Sequence, residues 1–182
     1  MTTYIEKFVE PENIFKSLWD ELNWERRADA PRREYWINTL NRSYTYGRGV
    51  GVRTYFPQET HPLIEKCTDA LEKHLGFRFE GCFLNGYESE RDALGWHADD
   101  DPGIDHAFPI AVISLYGEPV NAGLRTIQTK NKETSEIESF ILGDGSLFLM
   151  DAGMQDTHFH RIPKAGFKVR PRISLTYRKL VK

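Results

Sequence analysis

The sequence predicts a mainly β fold behind N-terminal helices, and three observations carry that expectation. From Phe77 onward the chain reads as short strand-like runs: FRFEGCFLNGY, IAVISLYG, GLRTIQTK, EIESFIL, GSLFLMD, THFHRI and RISLTYRKL. Clusters of Gly, Pro, Asn and Asp separate most of them, the pattern of an antiparallel sandwich or barrel. Upstream, two segments carry helical spacing instead. Between those two lies a tyrosine-rich stretch broken by glycines.

In order along the chain, Asn13–Asn23 places Ile14, Leu18 and Leu22 four apart with Phe15 and Trp19 on the same face, an amphipathic helix entered just after Pro11. Tyr35–Tyr55 reads as extended chain with turns, since Tyr44, Tyr46, Val50, Val52 and Tyr55 alternate with Gly47, Gly49 and Gly51. His61–Leu75 returns to helical spacing with Leu63, Ile64, Cys67, Leu71 and Leu75 inward, and Gly76 supplies a C-terminal stop. The strand-like runs follow, with a turn at Glu88–Asp92.

The chain has 182 residues, with hydrophobic residues at 40%, which suits one ordered domain with a sizeable core. The net charge of −3 excludes a protein that coats duplexes through many Lys and Arg contacts, though not a local basic patch. Cys67 and Cys82 form no CxxC and read as buried small hydrophobes of a reducing compartment. The N-terminus lacks a signal-like apolar run, and no segment reaches the ~20 apolar residues of a membrane span. The expectation is a soluble intracellular monomer, cytoplasmic or nuclear, with no membrane partner.

The chemical signal starts at His97-Ala98-Asp99. In extended chain, residues two apart share a side, so an imidazole and a carboxylate can reach one ion. A second His would complete a two-His, one-carboxylate face with open positions. His158 and His160 in THFHRIP both qualify. In RISLTYRKL, alternation puts Arg172, Ser174, Thr176 and Arg178 on one face and Ile173, Leu175 and Tyr177 on the other. Two arginines on a half-buried strand call for anionic partners, and a bound dicarboxylate would serve. The competing reading is a solvent-facing edge strand.

HxD, distal His and paired arginines arrive in the order found in the AlkB family of iron(II)- and 2-oxoglutarate-dependent dioxygenases, which repair alkylated nucleic acids. The sequence resembles that family from Pro31 to Lys182, most specifically at Arg172-x5-Arg178 with LTYR inside it. The resemblance implies a double-stranded β-helix (jelly-roll) core over about residues 81–182, with helices and a nucleotide-recognition lid over about 1–80. It implies His97, Asp99 and His160 as iron ligands, His160 being followed by Arg161-Ile162-Pro163 as the family's third ligand is. Asn85 and Tyr87 match the family's N-x-Y that binds 2-oxoglutarate. Arg172 matches the arginine that pairs with the distal carboxylate, Arg178 the second arginine, and Thr176 a pocket-lining Thr. Ser174 departs from the usual Asn and has a shorter reach. Asp101 falls where the family carries an acid near the target base.

Pro31-Arg32-Arg33 and Tyr44-Thr45-Tyr46-Gly47 resemble the lid of the DNA-repair members, with Tyr46 at the aromatic that stacks on a flipped base and Tyr44 beside it. Arg26, Arg27, Arg32, Arg33, Arg42, Arg48 and Arg53 cluster around this region and could supply local positive charge. The activity implied is oxidative demethylation of N-alkylated bases in DNA or RNA. It consumes O2 and 2-oxoglutarate, yields succinate and carbon dioxide, and releases the alkyl group as an aldehyde. The near-neutral charge favours single strands. Two other readings are a 2-oxoglutarate-dependent hydroxylase or demethylase of protein or free nucleotide, and a non-catalytic jelly-roll binding module.

Overall fold

The strand with the two arginines lies in the middle of a sheet. The computed structural model describes residues 1–27, 32–47 and 51–182. Pro31, Arg48, Gly49 and Val50 of the readings above lie outside the described residues. The elements are β1 (Thr2–Ile5), α1 (Ile14–Glu21), β2 (Arg33–Asn38), β3 (Tyr44–Tyr46), β4 (Arg53–Tyr55), α2 (Pro62–Leu75), β5 (Gly81–Tyr87), β6 (Leu94–His97), β7 (Ile110–Tyr116), β8 (Thr126–Asn131), β9 (Ile137–Ile141), β10 (Leu147–Met150), α3 (Met154–Thr157), β11 (His158–Ile162) and β12 (Arg172–Arg178).

A six-stranded sheet runs β1-β10-β7-β12-β5-β2, a four-stranded sheet runs β6-β11-β8-β9, and β3 and β4 form a separate hairpin. Every named strand pairing is antiparallel. This is the mainly β, jelly-roll core that the sequence predicts. β12 pairs with β5 on one side and β7 on the other, and all its residues are buried, so the edge-strand reading fails.

Period-two alternation distributes the core. Ile173, Leu175 and Tyr177 of β12 join Ile113 and Leu115 of β7, Leu84 of β5, and the inward residues of α1 and α2 in one apolar cluster. On the opposite face, Tyr87, Ile110, Val112 and Phe148 meet Ile127 and Ile162 of the smaller sheet. Arg172 and Arg178 therefore look into the space between the sheets. A third cluster sets Tyr44 and Tyr55 of the hairpin against Trp36 and Phe83.

The helices follow their residues. α2 starts at Pro62 with His61 Nδ1 accepting from the Leu63 amide at 3.1 Å, and stops at Gly76, whose φ of 82° is left-handed. α1 is shorter than its apolar spacing suggested. Gly86 of β5 lets the Trp19 ring pass close by, because a Cβ there would lie 2.9 Å from it. That contact seats α1 directly behind Asn85 and Tyr87.

Two differences from the sequence reading concern the first eighty residues. The Thr2–Ile5 segment, too short and too exposed to signal a strand, pairs with β10, and β2 pairs with β5. The larger sheet thus draws on both sides of the expected division near residue 80. Thr157 ends the short helix α3 instead of opening β11. Cys67 and Cys82 are buried and free, as expected. Among the described residues no helix is long and apolar enough to cross a membrane.

Candidate functional site

β6 and β11 lie side by side with His97 directly opposite His160. The ring centroids are 4.1 Å apart. Asp99, just beyond β6, completes the group: its Oδ1 is 3.7 Å from His97 Nε2 and its Oδ2 3.9 Å from His160 Nε2. The three candidate ligand atoms fall within 4.8 Å of one another. His158, the other candidate, is turned away and meets the Thr157 hydroxyl at 2.8 Å.

Electrostatics prepare these groups for a cation. Burial and the adjacent His97 hold the His160 pKa down to about 3. Burial also lowers that of His97, more than Asp99 can raise it. Both imidazoles are therefore neutral and able to donate lone pairs. His97 Nδ1 lies 2.8 Å from the Gly95 carbonyl. Protonated there, it donates to that carbonyl and leaves Nε2 free toward Asp99. Burial disfavours the Asp99 carboxylate, but the opposing charge around it, led by the Arg178 guanidinium, holds its pKa well below the usual range. Asp99 Oδ2 accepts from Arg178 Nη2 at 2.8 Å, whereas Oδ1 is buried with no hydrogen-bond partner. An unpartnered carboxylate oxygen facing two neutral imidazoles fits iron(II).

The residues expected to hold 2-oxoglutarate line one cavity between the sheets. Asn85, Tyr87, Arg172, Ser174, Thr176 and Arg178 share it with both histidines. Arg172 is fully buried; its Nε and Nη2 donate to Ser114 Oγ at 3.2 and 2.9 Å. Its guanidinium lies 5.3 Å from the Tyr87 ring, and its Nη1 has no partner. A buried cation with one amino group left without a partner at a cavity wall suits a carboxylate.

A wider cavity of about 480 Å³ opens outside the metal group, lined by Tyr44, Tyr46, Asp99, Asp101, Trp96 and Phe159 among others. The Tyr46 ring stands edge-on to His97 at 5.9 Å and stacks on Tyr44 at 6.5 Å. Burial, with Asp99 nearby, pushes the Tyr46 phenol up to about 12, so it stays neutral. Asp101 lies at this mouth, its Oδ1 accepting from the Gly103 amide at 2.7 Å.

The expected lid arginines are engaged within the fold. Arg32 is 5% exposed and points inward. Its Nε donates to Asn85 Oδ1 at 2.8 Å and its Nη2 to Glu34 at 3.3 Å. Glu34, fully buried, also accepts from the Tyr55 hydroxyl at 2.6 Å and Arg53 at 3.5 Å. Arg32 therefore braces Asn85, which lines the cavity between the sheets. Arg33 lies over the Trp19 ring and shares Glu88 with Arg26. Arg27 pairs with Glu25, and Arg42 donates to the Val181 carbonyl.

Three supporting residues escaped the sequence reading. Ser114 holds Arg172. Gln155 Oε1 accepts from the Asp99 amide at 2.9 Å. Arg125 reaches the carbonyls of Ser89, Asp92 and Pro163 and lies 5.2 Å from the Tyr87 ring. A lone hydroxyl in the apolar run IAVISLY was the one available signal, for Ser114.

Sequence comparison bears on the same residues. The 2OG-Fe(II) oxygenase superfamily profile matches residues 15–178. Alpha-ketoglutarate-dependent dioxygenase alkB homolog 3 of Bos taurus is 27% identical over 93% of this chain and 61% of its own length. The Homo sapiens protein of that name is 27% identical over 91% and 60%. DNA oxidative demethylase ALKBH2 of Bos taurus is 26% identical over 95% and 66%. This chain belongs to the 2OG-Fe(II) oxygenase superfamily, and the relatives it is similar to carry AlkB names. It spans about three-fifths of the length of the alkB homolog 3 relatives.

Proposed function

We propose that this chain is an iron(II)- and 2-oxoglutarate-dependent dioxygenase that removes alkyl groups from N-alkylated bases of DNA or RNA. The observation that carries the reading is the unpartnered Asp99 Oδ1 facing two neutral histidines, beside a cavity into which Arg172 holds an open donor. The names of the relatives support nucleic acid as the substrate class.

In this reading His97, Asp99 and His160 hold iron(II), and Arg172, Asn85, Tyr87, Ser174 and Thr176 hold 2-oxoglutarate. When bound, the metal and cosubstrate supply oxidation by O2, with succinate and carbon dioxide as products. Arg178 keeps Asp99 ionised and aimed. The neutral Tyr46, with Tyr44 behind it, gives an unstacked base a flat apolar face, and Asp101 accepts a hydrogen bond from that base at the mouth. Single strands, which need no unpairing, are the favoured form. Hydroxylation of the N-alkyl carbon leaves a hemiaminal that collapses to the free base and an aldehyde.

The test is succinate and formaldehyde release from a panel of N-methylated DNA and RNA oligonucleotides. Stoichiometric release from at least one supports the reading. Succinate without formaldehyde from every oligonucleotide would redirect it to a protein or free-nucleotide substrate.

A further inference from the structure

The four-stranded sheet has a second face that the site does not use. Alternation along β6 and β11 turns His97 and His160 inward, so Trp96 and Phe159, one residue before each, face outward. The register sets Phe159 beside Lys130 of β8 and Arg161 beside Gln128. On this face the Arg161 guanidinium lies 4.4 Å from the Trp96 ring centroid, Lys130 Nζ 4.9 Å from the same ring, and Lys132 Nζ 4.7 Å from the Phe159 ring. Trp96 and Phe159 also line the mouth of the large cavity, so the aromatic surface is continuous with the place where a base would enter.

Charge distinguishes this face from the arginine-rich first third. There, arginines are matched to Glu25, Glu34 and Glu88. Here the polar contacts are neutral: Arg161 Nε donates to Gln128 Oε1 and Lys132 Nζ to the Gln155 carbonyl, both at 2.7 Å. Among the described residues none of the three cations pairs with a carboxylate. Glu138, the acid within β9, lies opposite Thr129 and shares its inward side; Glu133 and Glu136 lie in the hairpin turn that also holds Lys132. On a chain of net charge −3, this is a concentrated positive strip.

We propose that this outer face, Trp96, Phe159, Lys130, Lys132 and Arg161, is a track for the single-stranded nucleic acid flanking the target base. The proposal rests on the reading above and adds where the rest of the strand lies. Phosphates take the three cations, which in the free protein rest on the rings by cation–π contact. Unpaired bases take the half-buried rings once the cations turn to phosphate, as aromatic platforms beside cations do in single-strand binding; paired bases would have their own faces covered. The strand thus passes from the sheet's outer surface over the β6–β11 edge to Tyr46.

The experiment measures binding of unmodified, labelled DNA and RNA single strands of about 15 nucleotides by fluorescence anisotropy across a salt series. For Lys130→Ala combined with Lys132→Ala, affinity should fall about tenfold, and the salt slope should flatten by roughly 0.7 per lysine. The ratio of kcat/KM on a methylated strand of that length to that on a methylated trinucleotide should fall by a similar factor. Quenching of tryptophan emission by an unlabelled strand should be lost in Trp96→Phe. Unchanged affinity and slope, or equal loss on long and short substrates, overturns the track. Demethylation with lysine-independent binding sinks the track alone, whereas lysine-dependent binding without demethylation of any oligonucleotide sinks the proposed function and leaves the track standing.

Discussion

Arg178 Nη2 donates to Asp99 Oδ2 at 2.8 Å across 79 positions of sequence, tying the centre of the larger sheet to the loop that follows β6. Both side chains are almost completely buried. An ion pair so placed stabilises little compared with apolar residues, but removing one partner strands the other charge. Arg178→Met is expected to lower the stability of the metal-free protein by roughly 3–5 kcal/mol, and Arg178→Met with Asp99→Leu to recover most of it. Denaturant unfolding of the three proteins checks this; equal stability of the single and double variants would refute the pairing.

Arg32 is expected to matter for the cosubstrate. Its bond to Asn85 Oδ1 fixes an amide that the proposed pocket uses. Arg32→Ala should raise the KM for 2-oxoglutarate several-fold even in turnover uncoupled from substrate. A surface phosphate contact would leave that constant unchanged, so succinate release without oligonucleotide separates the two roles.

Tyr46→Ala should behave in the opposite way. It leaves the metal group and Arg172 untouched but removes the ring beside His97. Uncoupled 2-oxoglutarate turnover should persist while kcat/KM on a methylated oligonucleotide falls about 10- to 100-fold, the worth of a base stack of ~1–3 kcal/mol. Equal loss in both assays would argue that Tyr46 only packs the hairpin.

Acid should destabilise the metal-free protein through His160. Its pKa is held down to about 3 in the fold, against ~6.5 in an unfolded chain. Between those values the unfolded state binds more protons, so the contribution is intact above ~6.5 and lost as pH falls toward 3. His160→Asn should therefore flatten the fall of Tm between about pH 7 and pH 4.5. A slope as steep as the parent's would place the acid sensitivity elsewhere.

How much was legible in the sequence differs by residue, for physical reasons. Arg172 to Arg178 could be read because alternation is a local property that burial enforces on every strand. His97 and Asp99 could be read for the same reason, two apart on extended chain. The choice of His160 over His158 needed the residues that follow it. The burial of Arg32 was not legible because a short motif says where an arginine occurs, not which way it points, and Glu34 lies only two residues away to draw it inward. Ser114 and Gln155 act on partners 58 and 56 positions away, and no local pattern encodes such pairs. β1 is short and half-exposed, and it is a strand only because β10 offers it an edge.

The pairing of β6 has a consequence for how the site breathes. β6 ends its sheet, pairs among the described strands with β11 alone, and does so through His160↔His97 and Ile162↔Leu94 with a register shift between them. So thin a ladder frays readily, and a metal bridging His97 to His160 would act as a staple across it. Amide hydrogens of β6 should then exchange rapidly in the stripped protein and slowly once iron(II) is added, with those of β12 indifferent to the change. The ion would be a structural member of the smaller sheet as much as a reagent within it.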